Sequence, residues 1–197
     1  MRGPGQDEFD DTLSVWPSDH NYRNSRCPRG HVLALGGRSG GYDHDYRATV
    51  LRCAICGHDD IGAGTWALID PTAQVPESAA TGQGMELVVF PPPVRAGVGR
   101  IELRLRGHVL GDIDLTLCGV DRRGVIEHVR VDPPRRRLGY SRLLVAAARA
   151  RGVGFTWTTT KVQDTFEARA FWARIGWPGV GEPFYCSHMS EAAGFPP

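Results

Sequence analysis

Lysine is nearly missing: Lys161 is the only one in 197 residues, so arginine carries almost all the positive charge. Beside so much Gly, Ala, Pro and Val, this bias reads as the mark of a GC-rich coding genome. An arginine cluster is therefore not by itself a binding patch. Long apolar runs are missing too. None approaches the roughly 18 residues a membrane helix needs, and no membrane partner is expected. The opening MRGPGQDEFDD has neither a basic start nor an apolar stretch, so the chain reads as cytoplasmic. Net charge is only +1, which leaves nucleic acid open as a partner but without electrostatic support. Cysteine is scarce and odd in number: Cys27, Cys53, Cys56, Cys118 and Cys186. That argues against a disulfide framework and for metal ligation or plain burial.

What is present suffices for one ordinary domain and a small appendage, with 41% apolar residues to build a core. Residues 1–25 are polar and read as disordered. Residues 26–69 hold three cysteines among short β-like runs, His31–Leu35, Thr49–Arg52 and Thr65–Ile69, and residues 70–84 have the Pro-rich, small-residue composition of a linker. From residue 85 to 197 the patterning strengthens. Met85–Phe90, Arg100–Arg106, Val109–Leu117 and Val125–Val131 read as strands, with DRRG at Asp121–Gly124 as a turn. Gly139–Arg151 reads as a helix with Tyr140, Leu143, Leu144, Ala147 and Ala148 on one stripe and Gly152 at its C-terminal cap. Phe155–Val162 reads as a strand. Asp164 and Glu167 suggest a capping box opening a second helix to Ile175, and Pro183–Met189 reads as a last strand. The fold class is α/β, a mixed, mostly antiparallel sheet with helices on both faces and a small N-terminal module.

The segment Val129-Arg-Val-Asp-Pro-Pro-Arg-Arg-Arg-Leu-Gly-Tyr-Ser-Arg142 carries the chemistry. A strand delivers the chain into a basic loop, and a helix starts at once. The free N–H groups of its first turn and its dipole favour a phosphate there. Gly139 lets the backbone approach a ligand closely, Ser141 avoids crowding, and Arg135, Arg136 and Arg137 can add charge-assisted contacts.

This segment resembles motif A of the Gcn5-related N-acetyltransferase (GNAT) family, Arg/Gln-x-x-Gly-x-Gly/Ala after a strand ending in Val-x-Pro. Here it reads Arg136-Arg137-Leu138-Gly139-Tyr140-Ser141 after Val131-Asp132-Pro133, with serine in the last small position. Downstream, Ala170-Phe171-Trp172-Ala173-Arg174-Ile175-Gly176-Trp177 resembles the family's Phe-Tyr-x-x-x-Gly-Phe block. The resemblance implies an acetyl-CoA-dependent N-acetyltransferase acting on an amine acceptor. It implies that Val129 and Val131 pair with the pantetheine arm and that the N–H groups of Arg137, Leu138, Gly139, Tyr140, Ser141 and Arg142 hold the pyrophosphate beside Arg136. Phe171 and Trp172 would complete the cofactor wall. Val131 N–H would polarise the thioester carbonyl. Glu127, placed by strand alternation on the face of Val129 and Val131 and opposite His128, is the candidate base. Trp172 occupies the position of the family's acidic tyrosine. Indole does not give up its proton, so Tyr140 or Tyr185 must serve, or the thiolate leaves unassisted, or the domain holds acyl-CoA without catalysis.

Cys27-Pro-Arg-Gly-His31 and Cys53-Ala-Ile-Cys56-Gly-His58 resemble a zinc ribbon with one altered knuckle. Cys27, His31, Cys53 and Cys56 would close a structural Zn2+ site, with His58 the rival for the fourth place. Such ribbons commonly dock nucleic acid or protein. Cys118 and Cys186 read as core thiols.

Overall fold

Alternating segments pair in the order they occur in the chain, and this meander is the frame of the fold. The structure, a computed structural model, describes residues 13–18, 26–33, 38–58, 64–177 and 179–195. One sheet has six strands in the order β10-β9-β8-β7-β6-β5. These are β5 (Gln74–Pro76), β6 (Met85–Phe90), β7 (Val98–Leu105), β8 (His108–Cys118), β9 (Arg123–Val131) and β10 (Thr156–Thr159). β6 to β9 are antiparallel neighbours, whereas β5 and β10 join the two edges in parallel. Inside the expected linker 70–84, then, Gln74–Pro76 is an edge strand.

α1 (Tyr140–Arg151) lies across β7, β8 and β9. All five residues of its expected stripe are at most 1% exposed. They meet Leu87, Ile101, Leu103, Ile113, Leu115 and Ile126 in the main core. α2 (Phe166–Ile175) is capped by Thr165, whose Oγ1 accepts the Ala168 N–H at 3.2 Å. The cap is thus one residue later than the Asp164 box. α3 (Ser187–Ala192) replaces the expected last strand. Its Met189 is buried with Cys118, Val125 and Ala96 in a separate small cluster on the sheet face opposite α1. Helices therefore cover both faces.

A second sheet of four strands has the order β1-β4-β3-β2, formed by β1 (Ser14–Pro17), β2 (Arg38–Asp43), β3 (Ala48–Cys53) and β4 (Thr65–Ile69). β1 lies within the stretch expected to be disordered; it pairs in parallel with β4 and buries Val15. The rest of residues 1–25 apart from 13–18, the glycines Gly36 and Gly37 and the acidic pair Asp59–Asp60 lie outside the described residues.

Candidate active site and metal centre

The register between β8 and β9 decides where the functional side chains point. Asp114 faces His128 and Leu115 faces Ile126, so Glu127 is an extra residue, a β-bulge. A one-residue bulge resets the alternation that follows it. Val129 and Val131 consequently pack on the α1 side with Ile113 and Ile126. Glu127 turns to the other face, where its Oε1 accepts the Thr116 hydroxyl at 2.7 Å. The expectation that Glu127 shares a face with Val129 and Val131 is overturned by this bulge, and so is the placing of His128 on the face opposite Glu127. His128 pairs with Asp114, whose carboxylate takes Arg100 at 2.8 Å and Arg130 at 2.6 Å on that same face.

The bulge also ends the pairing with β10. Thr159 is the last residue of β10 and faces Ile126, after which Thr160 N–H donates to the Ile126 carbonyl at 3.0 Å. The Thr160 hydroxyl then donates to the Glu127 carbonyl at 2.6 Å. From His128 to Val131, β9 has no strand on that edge among the described residues, which opens a gap with backbone polar groups along one side. Arg136 Nε reaches the Val131 carbonyl at 3.4 Å.

Tyr185 donates its hydroxyl to the other carboxylate oxygen, Glu127 Oε2, at 2.7 Å. Burial first, and then the Glu127 carboxylate, push this phenol above its usual range. Tyr185 is thus the tyrosine that touches the candidate base. Tyr140 is 1% exposed and set in the core, its phenol raised by burial and by neighbouring Tyr46. That placement removes it as a proton donor to substrate. Trp172 is likewise core: its ring lies edge-on to Trp177 at 5.7 Å and Phe171 at 5.0 Å. It also borders a cavity of about 300 Å³ with Val162, Gln163, Ala173 and Trp177.

The basic loop takes the expected strand-to-helix path. Pro133–Arg135 form a single 3-10 turn, Arg137 sits in the left-handed region at φ 68°, and Gly139 caps α1 at φ 90° without any side-chain cap. Arg136 and Arg137 are exposed. Leu138, Ser141 and Arg142 are half-buried, and the Arg142 guanidinium lies 4.7 Å over the Trp16 ring. One feature was not legible in the sequence: Val15 N–H donates to the Leu138 carbonyl at 2.7 Å, and the Val15 carbonyl fills the space of a Gly139 Cβ. The close approach that Gly139 allows here is to β1.

Cys27, His31, Cys53 and Cys56 converge. His31 Nδ1 lies 3.1 Å from Cys56 Sγ, 3.6 Å from Cys27 Sγ and 3.9 Å from Cys53 Sγ, and the Cys27 and Cys56 sulfurs are 3.6 Å apart. Tetrahedral zinc with its usual bond lengths needs ligand separations of roughly 3.5–3.8 Å, so this set fits the ion. Of the two histidines weighed for the fourth place, His31 is the one in the cluster. Burial opposes ionisation at Cys53, but hydrogen bonds from the Cys56 N–H, the Cys56 and Cys27 thiols and the Ile55 N–H together lower this thiol. Burial and the neighbouring thiols push Cys56 up to about 12.

Residues 88–177 match the model of the acetyltransferase (GNAT) family. No curated protein matches the chain. Among solved structures it is similar to nourseothricin acetyltransferase, with 22% identity over 40% of this chain and 48% of that one and a TM-score of 0.36. It is similar to aminoglycoside N-acetyltransferase AAC(6')-Iy in complex with CoA, with 15% identity over 45% of this chain and 65% of that one and a TM-score of 0.38. A third is ribosomal-protein-alanine N-acetyltransferase from Brucella melitensis biovar Abortus 2308, with 18% identity, 48% and 72% coverage and a TM-score of 0.36. The chain spans about half of the first of these and just under two thirds of the second. The domain over residues 88–177 is an acetyltransferase (GNAT) family domain.

Proposed function

We propose that this domain transfers the acetyl group of acetyl-CoA to an amine acceptor. The observation that carries the reading is the end of β9–β10 pairing at Ile126, directly beside the bulged Glu127. A strand edge left open over Val129 and Val131 suits a pantetheine arm, which carries amides of its own. The uncapped first turn of α1 and Arg136 and Arg137 suit the pyrophosphate. In this reading Val131 N–H polarises the thioester carbonyl. Glu127 takes a proton from the attacking amine, directly or through water, and Tyr185 is the nearest proton donor for the departing thiolate. Phe171 and Trp172 contribute packing, not protons.

Cys27, His31, Cys53 and Cys56 would hold Zn2+ as a closed structural site that adds folding energy. Through β1 and its contacts with Leu138 and Gly139, the ribbon braces the pyrophosphate turn.

A second reading is a non-catalytic acyl-CoA-binding domain with a ribbon that docks protein or nucleic acid. The burial of Trp172 at the family's tyrosine position favours it. Titration of acetyl-CoA into the purified chain, followed by thiol release with a panel of amines, separates the two. Turnover that Glu127→Gln abolishes supports the enzyme; binding without turnover on every amine supports the second reading. No binding at all would sink both.

A further inference from the structure

Beyond the N-terminal ribbon, four ligand-type side chains meet at the far end of the large sheet. Cys118 closes β8, Asp121 lies in the β8–β9 turn, Cys186 is the N-cap of α3 and His188 lies in its first turn. Their ligand atoms all fall within 4.8 Å of one another. His188 Nδ1 is 2.9 Å from Asp121 Oδ2, 3.7 Å from Cys118 Sγ and 4.0 Å from Cys186 Sγ. Cys118 Sγ is 3.4 Å from Asp121 Oδ2. These separations bracket the roughly 3.3–3.8 Å expected for sulfur, nitrogen and oxygen ligands around one tetrahedral zinc.

Two independent features argue that the cluster is built to hold an ion. The first is local. Asp121 N–H points back at Cys118 Sγ at 3.5 Å, just as N–H groups of Ile55 and Cys56 point at Cys53 in the ribbon. In both places a tight turn aims a backbone donor at the sulfur of a cysteine that stands in a cluster of ligand-type side chains. The second concerns α3. It has only six residues and no side-chain cap, too short to be stable alone. Its core contact is the small cluster of Met189 with Ala96, Cys118 and Val125. Just before it, Phe184 N–H donates to Thr158 Oγ1 at 3.3 Å and Tyr185 donates to Glu127, so the segment is already seated on the sheet where the four ligands, drawn from both sides of that junction, can close on one ion.

We propose that Cys118, Asp121, Cys186 and His188 form a second tetrahedral zinc site, which clips the C-terminal segment to the β8–β9 turn. Four protein ligands fill the coordination shell, so the site is structural and leaves no open position for a substrate. It sits next to chemistry nonetheless. Tyr185, which donates to Glu127, immediately precedes the ligand Cys186.

The full chain, purified with zinc, tests this. Elemental analysis should give two zinc per chain, falling to one in a Cys118→Ser, Cys186→Ser variant and to one in a Cys53→Ser, Cys56→Ser variant. Variants that fail to fold leave the wild-type chain to decide through alkylation mapped by peptide mass. Chelation should raise the alkylation rate of Cys186 and Cys118 at least about tenfold, because a metal-bound thiolate is a poor nucleophile. The ribbon cysteines are read in separate peptides, so failure of one site is told apart from failure of the other. Unchanged rates at Cys118 and Cys186, a disulfide between them, or an unchanged zinc content in the folded Cys118→Ser, Cys186→Ser variant would overturn the proposal.

Discussion

The carbonyl oxygen of Val15 occupies the space beside Gly139 in which any larger residue would put its Cβ. Strand β1 therefore locks the turn that opens α1, and the same glycine that suits a phosphate loop is required by the protein's own backbone. Gly139→Ala should cost roughly 2–4 kcal/mol, combining a left-handed backbone at φ 90° with a steric overlap that must be relieved. In a chain lacking residues 1–18 the overlap is gone, and only the left-handed penalty of roughly 1–2 kcal/mol should remain. Denaturant unfolding of the four proteins in this cycle measures the difference. Equal costs in both backgrounds would show that Val15 is not the obstacle.

Glu127 is held from two sides, by Thr116 and by Tyr185, both at 2.7 Å. If it is the base, Glu127→Gln should lower kcat by about 10²–10⁴-fold with little change in the affinity for acetyl-CoA. Tyr185→Phe should lower kcat less and alter the alkaline limb of the pH–rate profile. Thr116→Val should act mainly on the orientation of Glu127 and so fall between wild type and Glu127→Gln. Steady-state kinetics with one accepted amine decides; a Glu127→Gln enzyme of normal kcat would remove Glu127 from the chemistry.

Much of this frame was legible. The β6 to β9 meander follows from alternation, and α1 from an apolar stripe between Gly139 and Gly152. The bulge at Glu127 was not, because nothing in Arg-Gly-Val-Ile-Glu-His-Val-Arg-Val distinguishes a nine-residue strand from one with an extra residue. Strict alternation therefore gave Glu127 the wrong face. β1 escaped because a four-residue strand carries no period and is defined by its partners, β4 and α1. Pro183–Met189 has β-like composition, but its last three residues open a helix, where Met189 finds an apolar cluster to fill. That Cys27, His31, Cys53 and Cys56 come together was readable from their knuckle spacing. The meeting of Asp121 and His188 with Cys118 and Cys186 was not read, although Cys-x-x-Asp and Cys-x-His are short spacings of the same kind.

Three phenols set an alkaline limit. Burial raises Tyr46, burial and Tyr46 raise Tyr140, and burial and Glu127 raise Tyr185, each above the ordinary 10.0. A group with a raised folded pKa contributes stability fully below its unfolded value and loses it as pH climbs toward the folded one. Melting temperature should therefore fall as pH rises past about 10, while the phenols of the unfolded chain ionise first. Tyr140→Phe should flatten that fall, as read from thermal melts across the alkaline range together with phenolate absorbance. A slope unchanged by Tyr140→Phe would mean that another group sets the limit.

If the ribbon holds zinc and the turn before α1 takes acetyl-CoA, removing the metal should be felt at that turn. β1 pairs with β4, and β4 with β3, which ends at Cys53. Loss of the ion should loosen this sheet and with it the Val15–Leu138 bond. Chelation or Cys56→Ser should lower the melting temperature by several degrees and weaken acetyl-CoA binding by roughly 1 kcal/mol, about the worth of one net hydrogen bond. Calorimetric titration before and after chelation measures this. Unchanged affinity in a demetallated chain would confine the ribbon to a role apart from the loop.

The C-terminal clip makes a distinct forecast, because it acts on the catalytic side of the gap. Cys186 is adjacent to Tyr185, Cys118 ends β8, and Asp121 lies in the turn that leads into β9. Freed from Asp121 and Cys118, the segment would no longer hold the phenol 2.7 Å from Glu127. His188→Gln should therefore resemble Tyr185→Phe: lower kcat, a changed alkaline limb, and affinity for acetyl-CoA near that of wild type. In the Tyr185→Phe background His188→Gln should add little, since contacts that act through one shared partner are not additive. Stability would behave differently. His188→Gln should lower the melting temperature where Tyr185→Phe barely moves it, because only the former loosens α3. If the two substitutions instead multiply in their effect on kcat, the clip and the phenol act separately, and the positioning role of His188 falls.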